Sequence, residues 1–325
     1  MTGERKVYYN GDFVNESDAK ISIFDSALMF GDMVFEMTRS FGGVQFKLEE
    51  HILRLFDGLK ILRIEPGVTK SNLIDICLET VELNKPMFRN DDEHRLMIDI
   101  TRGPLSIYNQ VHGLSQSPNV IVADFPLRWT VSGMGKLFDE GINAVITSQR
   151  AIPGTLLDPK IKNRSRIHYL MANIEAAQFK GENNWALMLD TDGFIAEGSG
   201  DNFFIIKDDV IISPEGRNIL RGVSRDYVMQ SLAKELGLKC FEKNIEPYDV
   251  YTADEAFMTG TPFCMLPVTS LNSVVIGNGT PGRIFNLLLS KWSENVGVDI
   301  RSQIVNWNDL DEAQAGVSPY KFSVK

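Results

Sequence analysis

The sequence predicts a mixed α/β protein in two domains, a small N-terminal α/β domain and a larger, β-rich C-terminal α/β domain. Three observations carry this. The 325 residues exceed one ordinary domain of ~100–200 residues. Apolar residues at Leu48, Ile52, Leu55, Phe56, Leu59 and Leu62 recur with the period of one helix face. Short β-prone runs crowd residues 185–212, separated by Asp-Gly, Gly-Ser-Gly and Lys-Asp-Asp turns.

In chain order, Val-Tyr-Tyr-Asn-Gly-Asp-Phe-Val at 7–14 sets a turn between two β-prone runs, a hairpin signal. Helices are predicted over 48–63 and 72–84, then a strand over Arg95–Ile100. Residues 124–135, with Pro126, Gly133 and Gly135 and little periodicity, read as a linker dividing a domain at 1–123 from one at 136–325. Beyond it, Trp185–Asp190, Phe194–Glu197, Asn202–Ile206 and Val210–Ile212 read as consecutive hairpins, and helices are predicted over 164–179, 224–237 and 281–294.

Composition excludes several classes. With 43% hydrophobic and 23% charged residues the chain reads as globular rather than disordered. A formal charge of −10 argues against nucleic acid, whose phosphates recruit clustered Lys and Arg. Cys77, Cys240 and Cys264 have no zinc or disulfide spacing and read as buried thiols in a reducing cytoplasm; no metal is expected. No run reaches the ~20 apolar residues that span a bilayer and no secretory leader is apparent, so a cytoplasmic protein without membrane partners is expected.

Five pieces could carry chemistry. Asp158-Pro159-Lys160-Ile161-Lys162-Asn163 offers two lysines, whose neutral amine attacks carbonyl groups when burial or a nearby cation lowers its pKa. Phe194 to Phe204 is a strand ending in Glu197 and a glycine-broken turn. Asn218 to Asp226 runs through Gly222-Val223-Ser224 into a helix, with Ser224 as the expected N-cap, an arrangement whose free N–H groups suit a phosphate. Arg54 lies off the apolar stripe of its helix and could pair with a phosphate through two N–H groups. Thr259-Gly260-Thr261-Pro262 closes a β-prone run with hydroxyls and N–H groups for an anion. Each alone has an ordinary surface reading.

Their order along the chain resembles the class IV aminotransferases, the fold-type IV pyridoxal 5'-phosphate (PLP) enzymes, over nearly its whole length. Ile23-Phe24-Asp25-Ser26-Ala27, Phe30-Gly31-Asp32-Met33-Val34-Phe35-Glu36 and His51-x-x-Arg54-Leu55 look like that family's N-terminal domain. Asp158-Pro159-x-Ile161-Lys162-Asn163 and Glu197-Gly198-Ser199-Gly200-Asp201-Asn202-Phe203 resemble its lysine and pyridine-nitrogen segments. The resemblance implies PLP as cofactor, Lys162 rather than Lys160 as the lysine that carries it, and Glu197 with Asn202 at the pyridine nitrogen. It places Leu220 beneath the ring, and Arg54, Gly222, Val223, Ser224 and Thr261 at the phosphate. It further implies ping-pong transfer from an amino donor to a 2-oxo acid acceptor, in a homodimer or higher homo-oligomer whose cofactor sits at the domain interface.

The family's branches differ in substrate. Branched-chain enzymes carry Tyr-x-Arg where this chain has Met97-Ile98-Asp99, whereas Thr101-Arg102-Gly103 resembles the D-amino-acid and (R)-amine branches. Tyr108 and Gln110 stand where D-amino-acid enzymes place an arginine and a histidine, and Pro262 lacks an N–H to offer a carboxylate. Phe30, Phe35 and Met37 would make the pocket apolar, with Thr261 and Pro262 on its rim and Arg39, Arg102 or a loop arginine such as Arg128 for an acceptor carboxylate. These features, with the tail from Trp292 to Lys325, favour an (R)-amine or D-amino-acid type. Branched-chain L-amino-acid transfer, aminodeoxychorismate-lyase-like chemistry and cofactor binding without turnover are the alternatives.

Overall fold

The structure, a computed structural model, describes residues 3–307; the end of the tail, 308–325, lies outside them. The chain divides into two compact units: the part through Leu127 together with Ile161–Arg166, and Arg128–Lys160 together with the part from Ile167. The division between Leu127 and Arg128 falls within 124–135, where strand Asn119–Pro126 ends and the short helix Arg128–Val131 begins. The return of six residues to the first unit has no composition signal.

The first unit is a five-stranded antiparallel sheet in the order Asp12–Asn15, Lys6–Tyr9, Asn119–Pro126, His94–Thr101, Met33–Met37. Its opening hairpin turns through Asn10 and Gly11, both at positive φ (52° and 111°), as the Asn-Gly signal requires. Helices Leu48–Leu62 and Lys70–Asn84 cover one face, the second capped by the Thr69 side chain accepting from the Asn72 N–H. Leu48, Ile52, Leu55, Leu59, Leu73, Cys77 and Val81 pack there against Val34, Leu96, Ile98, Ile100, Val120 and Val122. Strand alternation therefore turns Phe35, Met97 and Asp99 to the opposite face.

The second unit is a nine-stranded sheet following Ile195–Gly198, Asn184–Leu189, Ile142–Arg150, Cys264–Leu271, Glu255–Gly260, Asn202–Lys207, Val210–Pro214 and Cys240–Lys243, with Val274–Val275 on Cys264–Leu271. Its first strand also pairs with Asn202–Lys207, through Glu197 opposite Asn202. Six strands thus form a closed ring. Between 184 and 212 the strands are consecutive antiparallel hairpins, as the turns predict. Helix Ile167–Ala176 packs Ala172 and Ala176 on Val145, Ala186 and Met188, small residues that bring it close to the sheet. The helix predicted over 224–237 is a run of α-helix Val223–Tyr227, a π segment Val228–Leu232 and a short α-helix Ala233–Glu235; the last long helix is Arg283–Val296.

Cys77 and Cys264 are buried and Cys240 only partly, and burial pushes the Cys77 thiol up to about 12. Among the described residues no group of His, Cys, Asp and Glu could hold a metal, and no helix is long and apolar enough to cross a membrane.

Candidate active site

In the first unit, Phe35 lies opposite Asp99 in the antiparallel pair of Met33–Met37 and His94–Thr101. The returning segment runs along Met33–Met37: the Phe35 N–H donates to the Lys162 carbonyl at 2.9 Å, and Val34 bridges Asn163. Lys162 Nζ consequently sits 4.8 Å from the Phe35 ring centroid, against a buried aromatic wall. Lys160 belongs to the second unit, where its ammonium pairs with Asp158 at 2.7 Å and donates to the Arg217 carbonyl at 3.1 Å. Of the two lysines, Lys160 is thus engaged as an ordinary surface ion pair.

On the helix side of the same sheet, Glu36 is fully buried and takes Arg54 Nε and Nη2 at 2.6 and 2.7 Å and His51 Nδ1 at 2.7 Å. His51 and Arg54, three apart on their helix, share a face. Glu36 is a functional candidate that was not singled out from sequence; an acidic residue inside an apolar strand, opposite two basic residues at helical spacing, was the available signal. Burial alone would raise the Glu36 carboxyl, but Arg54 and His51 outweigh it and hold it well below the carboxylate range. Burial pushes the His51 imidazole down, against the pull of Glu36.

In the folded chain His51 therefore takes up its proton less readily than in the unfolded chain. Its stabilising contribution is full above the unfolded imidazole pKa of ~6.5 and is lost as pH falls below it; the depressed Glu36 acts with the same sign at lower pH. His51→Gln keeps a donor for Glu36 but cannot titrate. The melting temperatures of wild type and His51→Gln should converge between pH 7.5 and 5.5, whereas a constant gap would contradict an imidazole lowered by burial.

Other side chains of the first unit have clear places. Phe30 is 66% exposed, Met37 is partly buried with its sulfur accepting from Arg95 Nη2 at 3.4 Å, and Arg39 is buried over the Phe41 ring. Thr101-Arg102-Gly103 is consumed by the fold. Thr101 donates to Asp25 at 2.8 Å; Arg102 donates to Asp32 and to the Leu62 and Arg63 carbonyls; Gly103, at φ 78°, lies where a Cβ would meet the Ser117 carbonyl at 2.3 Å. Arg102 is accordingly a clamp on the helix end rather than an open guanidinium.

In the second unit, ring closure builds a separate polar cluster. Pairing of Ile195–Gly198 with its neighbour shifts register between Ile195 and Gly198, and such irregularities re-aim side chains. Glu197, 4% exposed, accepts from the Tyr169 hydroxyl at 2.8 Å, Asn202 Nδ2 at 3.1 Å and the Leu220 N–H at 3.0 Å. Asn202 Nδ2 also donates to the Leu220 carbonyl at 2.8 Å, so Glu197, Asn202 and Leu220 form one unit. Tyr169 was missed from sequence, because only the docking of helix Ile167–Ala176 brings it there.

Gly222, not Ser224, is the N-cap of the following helix: Gly222 is extended (φ −66°, ψ 138°), Ser224 lies inside the first turn, and no side chain caps that end. A Cβ on Gly222 would stand 2.0 Å from Asn202 Oδ1. Thr261 and Pro262 follow strand Glu255–Gly260, next to Thr259, whose buried hydroxyl has no partner among the described residues. Arg128 is not in a loop; it opens the helix Arg128–Val131 and is buried, 5.8 Å from the Trp307 ring.

Gly222→Ala should push the Asn202 amide off Glu197. A flexible side chain yields more readily than backbone, so the cofactor-free protein should still fold, with stability lowered by about 1–3 kcal/mol, and loss of one or two hydrogen bonds near a charge should weaken PLP binding about tenfold. Unchanged affinity in a titration would show that the Asn202 amide does not matter to the site.

The donors present suit PLP: a primary amine on an aromatic wall, a guanidinium fixed by a buried carboxylate, an uncapped helix start, an orphaned buried hydroxyl, and a carboxylate presented by three donors. Such donors are those a pyridoxal enzyme would use. Residues 33–271 match the family model for class IV amino-transferases. A protein of Methanocaldococcus jannaschii, provisionally named a branched-chain-amino-acid aminotransferase, is 38% identical over 290 residues, covering 89% of this chain and 96% of its own. The D-alanine aminotransferase of Bacillus licheniformis is 30% identical over 278 residues, covering 85% and 92%. The branched-chain aminotransferase of the archaeon Thermoproteus uzoniensis, solved with norvaline, superposes with a TM-score of 0.78 at 27% identity, covering 94% and 98%. The chain belongs to the class IV aminotransferase family and is a PLP-dependent aminotransferase.

Proposed function

We propose that this enzyme moves the amino group of hydrophobic L-amino acids of the branched-chain type to a 2-oxo acid, with Lys162 as its catalytic residue. PLP supplies the electron sink for the carbanion character that develops at the substrate carbon. The Lys162 amine would hold the cofactor and would serve as the group that moves a proton at the substrate carbon. The Glu197 carboxylate, backed by Tyr169, Asn202 and Leu220, would keep the pyridine nitrogen protonated. Arg54 of the first unit, and Gly222, Val223, Ser224 and Thr261 of the second, are the residues that would hold the phosphate.

The substrate reading is carried by the buried Phe35 ring beside the Lys162 amine, an apolar wall that favours a hydrocarbon side chain. The archaeal relative from Methanocaldococcus jannaschii supports the same branch. The D-amino-acid type is the second reading, favoured by the Bacillus licheniformis relative. Its other support, Thr101-Arg102-Gly103, is weakened by the structural work those three residues do. The exposed apolar residues Ile23, Leu28, Phe30 and Ile107 of the first unit support self-association, for which a homodimer is the proposed minimum.

The test is spectroscopic. Holoenzyme is mixed separately with L-leucine, D-alanine and (R)-1-phenylethylamine, and bleaching of the lysine-dependent visible band is timed. L-Leucine is expected to react at least ~100-fold faster than the others, roughly the discrimination a pocket contact of a few kcal/mol supplies. Faster reaction with either competitor would overturn the branched-chain assignment.

A further inference from the structure

We propose that Arg164 recognises the distal carboxylate of a dicarboxylic amino acceptor, exchanging its bond to Asp99 for that carboxylate. The proposal rests on Lys162 being the cofactor lysine, and it adds the residue that lets an apolar pocket also take a diacid.

Lys162, Arg164 and Arg166 alternate along the returning segment, and all three reach the Phe35 ring. Their distances to its centroid are 4.8 Å for the lysine Nζ, 3.7 Å for the Arg164 guanidinium carbon and 5.7 Å for that of Arg166. Stacking on an aromatic face holds a guanidinium in place while leaving its edge open to in-plane hydrogen bonds. That edge meets Asp99, the cross-strand partner of Phe35, through one N–H at 3.0 Å. An incoming carboxylate could instead be taken by two parallel N–H groups, the stronger arrangement.

Accessibility agrees with exchange. The Arg164 side chain is 34% exposed and that of Asp99 14% exposed. Burial raises the Asp99 carboxyl above its ordinary range despite the arginine beside it, so this pair is an imperfect one. Other arginines of this unit are committed differently: Arg102 to Asp32 and two carbonyls, Arg54 to Glu36 through two N–H groups, and Arg39 in the interior.

A ping-pong enzyme passes both substrates through one pocket. A hydrophobic donor would lie beside the Phe35 ring and leave the Arg164 guanidinium stacked there and bonded to Asp99. A five-carbon diacid in the same place would draw the guanidinium onto its far end. Specificity for two unlike side chains then comes from one arginine with two partners.

The experiment uses the holoenzyme. Calorimetry measures binding of glutarate and of 4-methylvalerate, and acceptor kinetics compare 2-oxoglutarate with 4-methyl-2-oxopentanoate. In Arg164→Gln, glutarate binding should weaken and the KM for 2-oxoglutarate rise by about 10- to 100-fold, the size of one charge-assisted contact. The kcat, the monoacid affinity and the L-leucine half-reaction should stay within about twofold of wild type. Arg164→Lys should recover part of the loss, and Asp99→Asn, which removes the competing carboxylate, should tighten glutarate severalfold. Equal effects on diacid and monoacid, no effect on either, or no tightening in Asp99→Asn would overturn the proposal, and the last holds even if Arg164→Gln does not fold. Failure of the Lys162 assignment would appear separately, as a Lys162→Ala variant that keeps the visible band, and glutarate calorimetry on the wild-type protein would still decide the role of Arg164.

Discussion

Lys162→Ala is expected to lower kcat by ~10⁴-fold or more, because it removes both the covalent attachment and the proton carrier, and positioned acid–base groups alone contribute about 10²–10⁴. The purified variant should lack the visible band that wild type shows with PLP. Lys160→Ala is the matched control. Its ammonium pairs with Asp158 on a partly exposed surface, and such pairs contribute about 0–1 kcal/mol. Activity within a few-fold of wild type is expected there. If Lys160→Ala were the inactive variant and Lys162→Ala kept the band, the assignment would move to Lys160.

Glu197→Gln is expected to lower kcat/KM by about 10²–10³, the usual cost of removing one preorganised electrostatic partner from an active site. Three donors converge on this carboxylate: the Tyr169 hydroxyl, the Asn202 amide and the Leu220 N–H. A glutamine offers one acceptor oxygen and turns an NH2 toward them. At least one buried donor then loses its acceptor, so stability should also fall by about 1–3 kcal/mol. Measured together, melting temperature and half-reaction rate separate the two effects. A variant that is less stable but within tenfold of wild-type activity would leave Glu197 as a structural anchor without a part in the chemistry.

Much of the architecture is written locally. The helix from Leu48 begins and ends within a residue of its predicted limits, because apolar spacing along one face is a property of fifteen consecutive residues. The hairpins between 184 and 212 follow their Asp-Gly, Gly-Ser-Gly and Lys-Asp-Asp turns for the same reason. Ser224 shows the limit of such reading: Ser is a good capping residue, yet Gly222 takes the cap two positions earlier, and a Cβ there would collide with the Asn202 amide.

By itself, then, the sequence determined the two-domain α/β class, the order of its elements, and the lysine and glutamate segments by which it resembles pyridoxal enzymes. Tertiary structure decided which charged groups meet. Glu36 collects His51 and Arg54 from a helix, Tyr169 reaches Glu197 from a crossover, and Arg102, which reads as a substrate arginine in the chain, clamps Asp32 and a helix end. Asp99 and Arg164 are 65 positions apart and become partners only because the chain returns to the first unit at Ile161–Arg166. Periodicity and turn chemistry act over a few residues, whereas an ion pair in a folded core depends on strand register and chain path, which no short stretch of sequence encodes.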